Sequence, residues 1–170
     1  DASAVSRRTF LKYAIGAVSS FVGIVAGVPI FGYLGSVFQA KGRSQWVKLG
    51  RIEQFDGATP QPVQFTLEQQ DGWVETREAR SCWVVREGEK VAVFNGRCTH
   101  LGCAYSWQDE GEHKDRFFCP CHGGVFDRGG YVVGGPPPRS LDRLETKVED
   151  GDLMVLYQDF HPGVTGKTAV

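Results

Sequence analysis

The sequence predicts an all-β domain, an antiparallel sandwich or barrel, preceded by one N-terminal membrane-spanning helix. Two observations lead to this class. Residues 13–38 carry no charged side chain, whereas from residue 45 onward short apolar or alternating runs are separated by turn residues. Regular short strands with such turns are typical of sandwiches and barrels. After residue 44 the only candidate for a short helix or irregular insertion is 104–113, so strands should dominate the domain.

The apolar stretch at 13–38 is long enough to cross a bilayer. As a helix rising about 1.5 Å per residue, its 26 residues exceed the roughly 30 Å hydrocarbon core. Gly23 and Gly27 form a GxxxG pair of the kind that packs against a neighbouring membrane helix. Because no convincing small-residue cleavage motif closes the stretch, we expect a retained anchor rather than a removed signal peptide.

A basic segment precedes the anchor. Residues 6–12 read Ser-Arg-Arg-Thr-Phe-Leu-Lys and resemble a twin-arginine export signal. The alternative is a plain positive-inside anchor, because Arg7, Arg8 and Lys12 would hold the N-terminus in the cytoplasm either way. We therefore expect a single-pass protein of the cell membrane, with residues 1–12 in the cytoplasm and the domain on the outer, periplasmic side.

The polar residues 39–44 are predicted to be a hinge, and 45–170 form the domain. Its candidate strands lie near 45–49, 63–68, 73–77, 81–86, 90–95, 116–118, 131–133, 144–149 and 153–158. Residues 44–170 contain 14 Lys and Arg against 19 Asp and Glu, a net charge of −5. This acidic balance argues against nucleic-acid binding and weakly favours a basic partner such as a c-type cytochrome.

Two short stretches carry the chemistry: the first box, Cys98-Thr99-His100-Leu101-Gly102-Cys103, and the second box, Cys119-Pro120-Cys121-His122-Gly123-Gly124. Each box supplies one Cys and one His, spaced C-x-H and C-x2-H. Two thiolates and two imidazoles suit a [2Fe–2S] cluster with the thiolates on one iron and the imidazoles on the other. The candidate ligands are Cys98, His100, Cys119 and His122.

Zinc, a disulfide framework and c-type haem fit the boxes less well. Cys2His2 is also a zinc composition, but structural zinc fingers usually space their ligands as C-x2-4-C and H-x3-5-H. A disulfide framework with incidental histidines would not account for the pairing of Cys with His in both boxes. The C-x-x-C-H motif of c-type haem attachment is absent from the sequence.

Two cysteines, Cys103 and Cys121, are left over, each beside its own ligand pair. A bridge between them would clamp the two loops together. In the chain-entropy model, closing a loop of about 18 residues is worth roughly 3 kcal/mol. A fifth cysteine, Cys82, lies in a strand-like run and is expected to be a buried thiol, while His113 is expected in a solvated loop.

The two boxes resemble those of Rieske iron–sulfur proteins. With an extra Cys in each box, the sequence resembles the quinol-oxidising branch of the family, the Rieske subunits of cytochrome bc1 and b6f complexes. Rieske ferredoxins and ring-hydroxylating oxygenases generally lack that pair of cysteines. The match covers 98–124 and extends to a proline loop at Pro136, Pro137 and Pro138. The resemblance implies a Rieske-type β fold in which about 95–140 form a small cluster-binding sub-barrel.

The resemblance also implies a function. His122 would face a quinol, with His100 near the surface, and the cluster would take one electron and one proton at a cytochrome b subunit. The domain would then swing on the hinge to a c-type haem, within a dimeric multi-subunit complex. The alternative is the small Rieske subunit of a molybdenum oxidase such as arsenite oxidase, against which the clean membrane span argues.

Two positions depart from the high-potential members of this family. Those members usually carry Ser and Tyr where this chain has Gly124 and Phe126, and the hydroxyls donate hydrogen bonds to cluster and ligand sulfurs. Such donors stabilise the reduced cluster and raise its potential. Their absence predicts a low-potential cluster suited to menaquinol, unless backbone donors compensate.

Overall fold

The structure, a computed structural model, describes residues 6–39, 44–57, 59–71 and 74–170. Two compact units divide the chain between residues 41 and 42. The hinge predicted at 39–44 falls mostly on residues 40–43, which lie outside the described residues.

The N-terminal unit contains one helix, α1 (Arg7–Gln39). By length and composition, its residues Arg7–Gly35 are able to cross a membrane. The helix begins ahead of the predicted membrane span at 13–38, and Ser6 caps it: the Thr9 backbone N–H donates to Ser6 Oγ at 3.3 Å. The basic residues Arg7 and Arg8 therefore form its first turn.

The second unit is the predicted all-β fold, with ten antiparallel strands among its described residues. In chain order they are β1 (Gln45–Arg51), β2 (Gln61–Asp71), β3 (Val74–Glu87), β4 (Lys90–Asn95), β5 (Ser106–Gln108), β6 (Arg116–Cys119), β7 (Gly124–Phe126), β8 (Val132–Gly134), β9 (Arg143–Glu149) and β10 (Asp152–Tyr157). Six strands form one sheet in the order β1-β10-β9-β4-β3-β2, and four form a second sheet, β5-β6-β7-β8.

The structure differs from the sequence-based expectations at three places. The candidates at 73–77 and 81–86 are parts of one strand, β3, because β2 pairs with it continuously from Asp71↔Val74 to Gln61↔Val84. The segment 104–113, expected to hold a short helix or an irregular insertion, contains the three-residue strand β5 and turns, since β5 pairs with β6. Strand β7 was not predicted, because it is only three residues long and starts inside the glycine-containing second box.

Strands β3 and β4 contribute side chains to two hydrophobic cores, because successive side chains of a strand point to opposite faces. Val84 and Val93 lie in the core of the six-stranded sheet. Val85 and Phe94 lie in a second core, shared with the four-stranded sheet and containing Cys98 and Cys119. The candidate ligands are thus built into the second core.

Cys82 is fully buried in the first core, as predicted, and burial raises the pKa of its thiol to about 12. The unfolded chain releases this proton near its ordinary pKa of 9.0, whereas the folded chain retains it. The contribution of Cys82 to the free energy of unfolding is therefore fully present below about pH 9. It is lost as the pH rises toward 12.

We expect this thiol to contribute about 2 kcal/mol to the loss of unfolding free energy between about pH 8 and about pH 10.5. Urea unfolding of the full chain in detergent micelles, with Cys82→Ala as the matched variant, measures it. The variant should show a flatter pH profile; parallel profiles would contradict the assignment.

Candidate metal centre

The first box is a tight turn that follows β4. The Cys98 backbone N–H donates to Cys103 O at 2.8 Å, and the Gly102 N–H donates to Cys98 O at 2.9 Å. Gly102 has a φ of +77°, a conformation that glycine adopts without strain. These bonds fold the box on itself and place Cys98 and Cys103 side by side.

The second box is the turn of a β-hairpin. Cys119 ends β6 and pairs with Gly124, the first residue of β7. Gly123 supplies the positive φ, +69°, that the turn requires. Cys121 and His122 therefore project from the hairpin turn, and both residues are exposed, whereas Cys119 is buried.

The bridge expected from the sequence joins the two boxes. Cys103 and Cys121 are disulfide-bonded, with 6.7 Å between their Cα atoms. The Cys119 sulfur lies within 4.8 Å of both bridge sulfurs. Because Cys103 and Cys121 are used in the bond, they are not thiolate donors, and Cys119 is the only free thiol of this sulfur group.

The candidate ligands form two like pairs. Cys98 and Cys119 are free, buried thiols whose sulfurs are hydrogen-bonded to each other. The rings of His100 and His122 meet edge to face, with centroids 4.7 Å apart. Each pair combines one residue from each box, so the folding of the boxes against one another creates both pairs.

The environment of Cys98 opposes ionisation of the free thiol. Burial raises the pKa of Cys98 to about 11, while the backbone N–H groups of His100 and Leu101, which bond to its sulfur, act in the opposite direction. A metal bound here must displace the proton, since the thiolate is the metal ligand. The two N–H groups are the kind of backbone donor that stabilises a negatively charged sulfur.

This donor set fits a [2Fe–2S] cluster. Two buried thiols lie next to each other and two more accessible imidazoles lie next to each other, which matches a cluster with unlike irons. A single zinc ion is the less natural occupant, because the sequence has no H-x3-5-H pair and its C-x4-C pair loses Cys103 to the disulfide.

The proline loop packs directly on the second box. Pro137 is buried, and a Cβ added at Gly124 would lie 2.9 Å from Pro137 Cγ and 3.6 Å from Cys119 Cβ. Gly135, at φ +80°, lies against the backbone of Gly123 so closely that a Cβ there would overlap it. A side chain at position 124 would therefore require the proline loop to shift.

Phe126 is the second position that lacks the hydroxyl of the high-potential proteins. Its ring is fully buried in the core that contains Cys98 and Cys119. The Tyr105 ring centroid lies 6.1 Å away, but its hydroxyl donates to Asn95 O at 2.7 Å and is thus committed elsewhere. Tyr105 does not replace the missing hydroxyl.

Comparison with known proteins decides the family. The Rieske [2Fe–2S] domain matches residues 45–150, a span that includes both boxes and the proline loop. The chain belongs to the Rieske family. The resemblance drawn from the boxes is confirmed, and with it the [2Fe–2S] cluster as the cofactor of this domain.

Several known proteins are similar to this chain over most of its length. The chain is 34% identical to the menaquinol:cytochrome c reductase iron-sulfur subunit of Bacillus subtilis, covering 88% of this chain and 90% of that protein. It is 31% identical to the subunit of the same name from Geobacillus thermodenitrificans, covering 88% and 89%. It is 27% identical to the cytochrome b6-f complex iron-sulfur subunit of Chlorobaculum tepidum, covering 88% and 74%.

Sequence reasoning missed several residues around the Rieske site. Thr99, Arg139, Asp142 and Gly163 are joined by hydrogen bonds behind the first box. These residues come from separate parts of the sequence and form no ligand-spacing motif, so the sequence alone does not indicate them. His113, expected in a solvated loop, is half-buried and stacks on Phe118 with a centroid distance of 4.3 Å.

Removing the bridge should loosen the Rieske site. We expect the double variant Cys103→Ala/Cys121→Ala to lose about 3 kcal/mol of unfolding free energy, because the bond closes an 18-residue separation. Thermal and urea unfolding of the full chain in detergent micelles measures this. The reference is the unaltered chain, and equal stability of the double variant and the unaltered chain would contradict the expectation.

Proposed function

We propose that this chain is the iron–sulfur subunit of a membrane quinol oxidoreductase that takes electrons from menaquinol and passes them to a c-type cytochrome haem. The observation that carries the proposal is the pairing of two imidazoles from separate loops, with the His122 residue exposed. The names of the Bacillus and Geobacillus relatives support it. The proposed ligands are Cys98, His100, Cys119 and His122.

When bound, the cluster supplies a one-electron acceptor held between thiolates and imidazoles. Cys98 and Cys119, which are buried, would hold it together with His100, which is half-buried, and His122, which is exposed. An imidazole that binds metal through one ring nitrogen keeps the other nitrogen for a partner. We assign His122, with His100 beside it, to accept the hydrogen bond of a hydroquinone hydroxyl and to hold the proton released there.

The surface around these histidines suits contact with an apolar partner. Leu101, between His100 and Gly102 in the first box, is 59% exposed. In the proposal this loop docks at the quinol site of a cytochrome b subunit. The domain then moves on the hinge at 39–44 to the c-type haem, within a dimeric complex.

The proposed location is the cell membrane. Helix α1 would be the single anchor, with the basic residues Arg7, Arg8 and Lys12 on the cytoplasmic side. The domain would lie outside, where the Cys103–Cys121 bond persists in an oxidising environment. A twin-arginine route would export the domain after folding and cluster insertion.

The proposal is tested with membranes from cells that produce the chain, its Cys98→Ala variant, or no chain. Reduction of added cytochrome c is followed with a menaquinol analogue, a ubiquinol analogue or arsenite as donor. We expect inhibitor-sensitive reduction by the menaquinol analogue that requires the unaltered chain. Activity that is independent of the chain, or that requires arsenite, would contradict the proposal.

A further inference from the structure

The last twelve residues fold back onto the first box. We call residues 159–170 the C-terminal clamp. The Val170 N–H donates to Asp159 O and the His161 N–H to Thr168 O, each at 3.0 Å, so the segment closes on itself. From within this closed segment, the Gly163 N–H donates to Thr99 O at 2.9 Å. The clamp is therefore tied to the backbone between Cys98 and His100.

Arg139 fastens the clamp from the other side. Its guanidinium binds both oxygens of Asp142, at 3.0 and 2.7 Å, and donates to Val164 O at 2.6 Å and to His161 O at 3.0 Å. The Arg139 and Asp142 side chains are only 9% and 7% exposed. A planar fork with several donors fits this arrangement, and lysine would not reproduce it.

The same residue is tied to the first box. Thr99 Oγ1 donates to Arg139 O at 2.7 Å, and Thr99 is 1% exposed. Arg139 thus links the clamp, the loop after the proline residues and the ligand loop in one network. The network holds Thr99, the single residue between Cys98 and His100, by hydrogen bonds to its hydroxyl and its carbonyl oxygen.

The clamp also covers the flank of Cys98. A cavity of about 20 Å³ has Cys98 and Thr99 of the first box and Phe160 and Pro162 of the clamp among its lining residues. This volume holds about one water molecule. A Cβ at Gly163, whose φ is +76°, would lie 3.4 Å from His100 O, so the clamp backbone rests closely against the box.

The family match ends at residue 150, so the clamp lies beyond the region that defines the domain. We propose that the C-terminal clamp, held by Arg139, is a positioning element for the cluster: it fixes Cys98 and His100 and limits water at the Cys98 sulfur. This inference rests on the proposed function, since it takes Cys98 and His100 as ligands. Groups behind metal ligands orient them, and losing one typically costs ten- to a hundredfold in metal affinity.

The test uses four variants of the full-length chain in detergent micelles. Arg139→Lys breaks the fork, and Thr99→Val removes the hydroxyl at nearly constant volume. Thr99→Ser restores the hydroxyl, and Arg51→Lys alters an exposed arginine that also donates to a backbone carbonyl, Asp150 O, far along the chain. The readouts are the EPR line shape of the reduced cluster, its midpoint potential, and the rate of cluster loss to an iron chelator.

We expect Arg139→Lys and Thr99→Val to lose the cluster about tenfold faster and to show altered line shapes and shifted midpoints. Thr99→Ser and Arg51→Lys should match the unaltered chain. Because Thr99→Val is nearly isosteric, it tests the network even when Arg139→Lys fails to accumulate.

Unchanged line shape, midpoint and loss rate in Arg139→Lys and Thr99→Val would overturn the inference. A lower unfolding temperature with an unchanged line shape and midpoint would also overturn it, since that is a purely structural role. The iron and acid-labile sulfide content of the unaltered chain separates failure of the proposed function from failure of this inference. Absence of both would overturn the proposed function. Their presence, with variants that behave like the unaltered chain, would overturn only the positioning role of the clamp.

Discussion

Full-length Cys119→Ala and His122→Ala variants should contain no EPR-detectable [2Fe–2S] cluster. The two boxes offer four donors for four positions, and the neighbouring Cys121 is committed to its bond with Cys103. No spare thiol or imidazole of the boxes is therefore free to substitute. The measurement is the iron and sulfide content of the purified protein, together with its reduced-state EPR spectrum.

Two matched variants separate ligand loss from general damage. Cys82→Ala removes a buried thiol of the other core, and His113→Ala removes a ring that stacks on Phe118. Both should retain the cluster. A full cluster content in Cys119→Ala or His122→Ala, or its loss in both control variants, would show that the ligand assignment is wrong.

Adding a hydroxyl at position 126 should raise the midpoint potential. Phe126 is buried in the core that contains Cys98 and Cys119, so the hydroxyl of a Phe126→Tyr variant would be shielded from water. A hydrogen bond worth about 1.4 kcal/mol to the reduced form corresponds to about 60 mV in a one-electron couple. Phe126→Leu, which adds no donor, should leave the midpoint near that of the unaltered chain.

Replacing Gly124 with serine should raise the midpoint potential and lower the stability. In Gly124→Ser the new Cβ would lie 3.6 Å from Cys119 Cβ, close enough for the hydroxyl to approach the sulfur, but 2.9 Å from Pro137 Cγ. We expect a higher midpoint together with lower stability, because the proline loop must move. Gly124→Ala has the same steric conflict without the donor, so it should lose stability with little gain in potential.

Redox titration of these four variants tests whether the missing hydroxyls keep the potential low. No upward shift in either Phe126→Tyr or Gly124→Ser, relative to its control, would contradict that cause. In that case the backbone N–H groups of His100 and Leu101 at the Cys98 sulfur would be sufficient donors by themselves.

The chemistry of the site was predictable because it depends on residue types at short spacing. Each box brings its own Cys and His together, and the two surplus cysteines indicate how the boxes are joined. Neither inference needs the rest of the fold. The anchor was predictable for a similar reason, since an uncharged run long enough to span a bilayer is a local property of the sequence.

The features that sequence reasoning missed depend on contacts between distant residues. The polar run Thr76–Arg80 hides the continuity of β3, which follows from its pairing with β2. The clamp depends on Arg139 reaching His161 and Val164, and on Gly163 reaching Thr99. The conflict between Gly124 and Pro137 is likewise a matter of packing, because sequence alone showed an absent hydroxyl but not the filled space.

The most direct test is an EPR-monitored redox titration of the purified full-length protein. We expect a rhombic reduced-state Rieske signal with a midpoint in the lower half of the roughly −150 to +300 mV range of such clusters. The same signal near the upper limit would contradict the role assigned to Gly124 and Phe126. A protein that contains zinc instead of iron and gives no signal would contradict both the cluster assignment and the function derived from it.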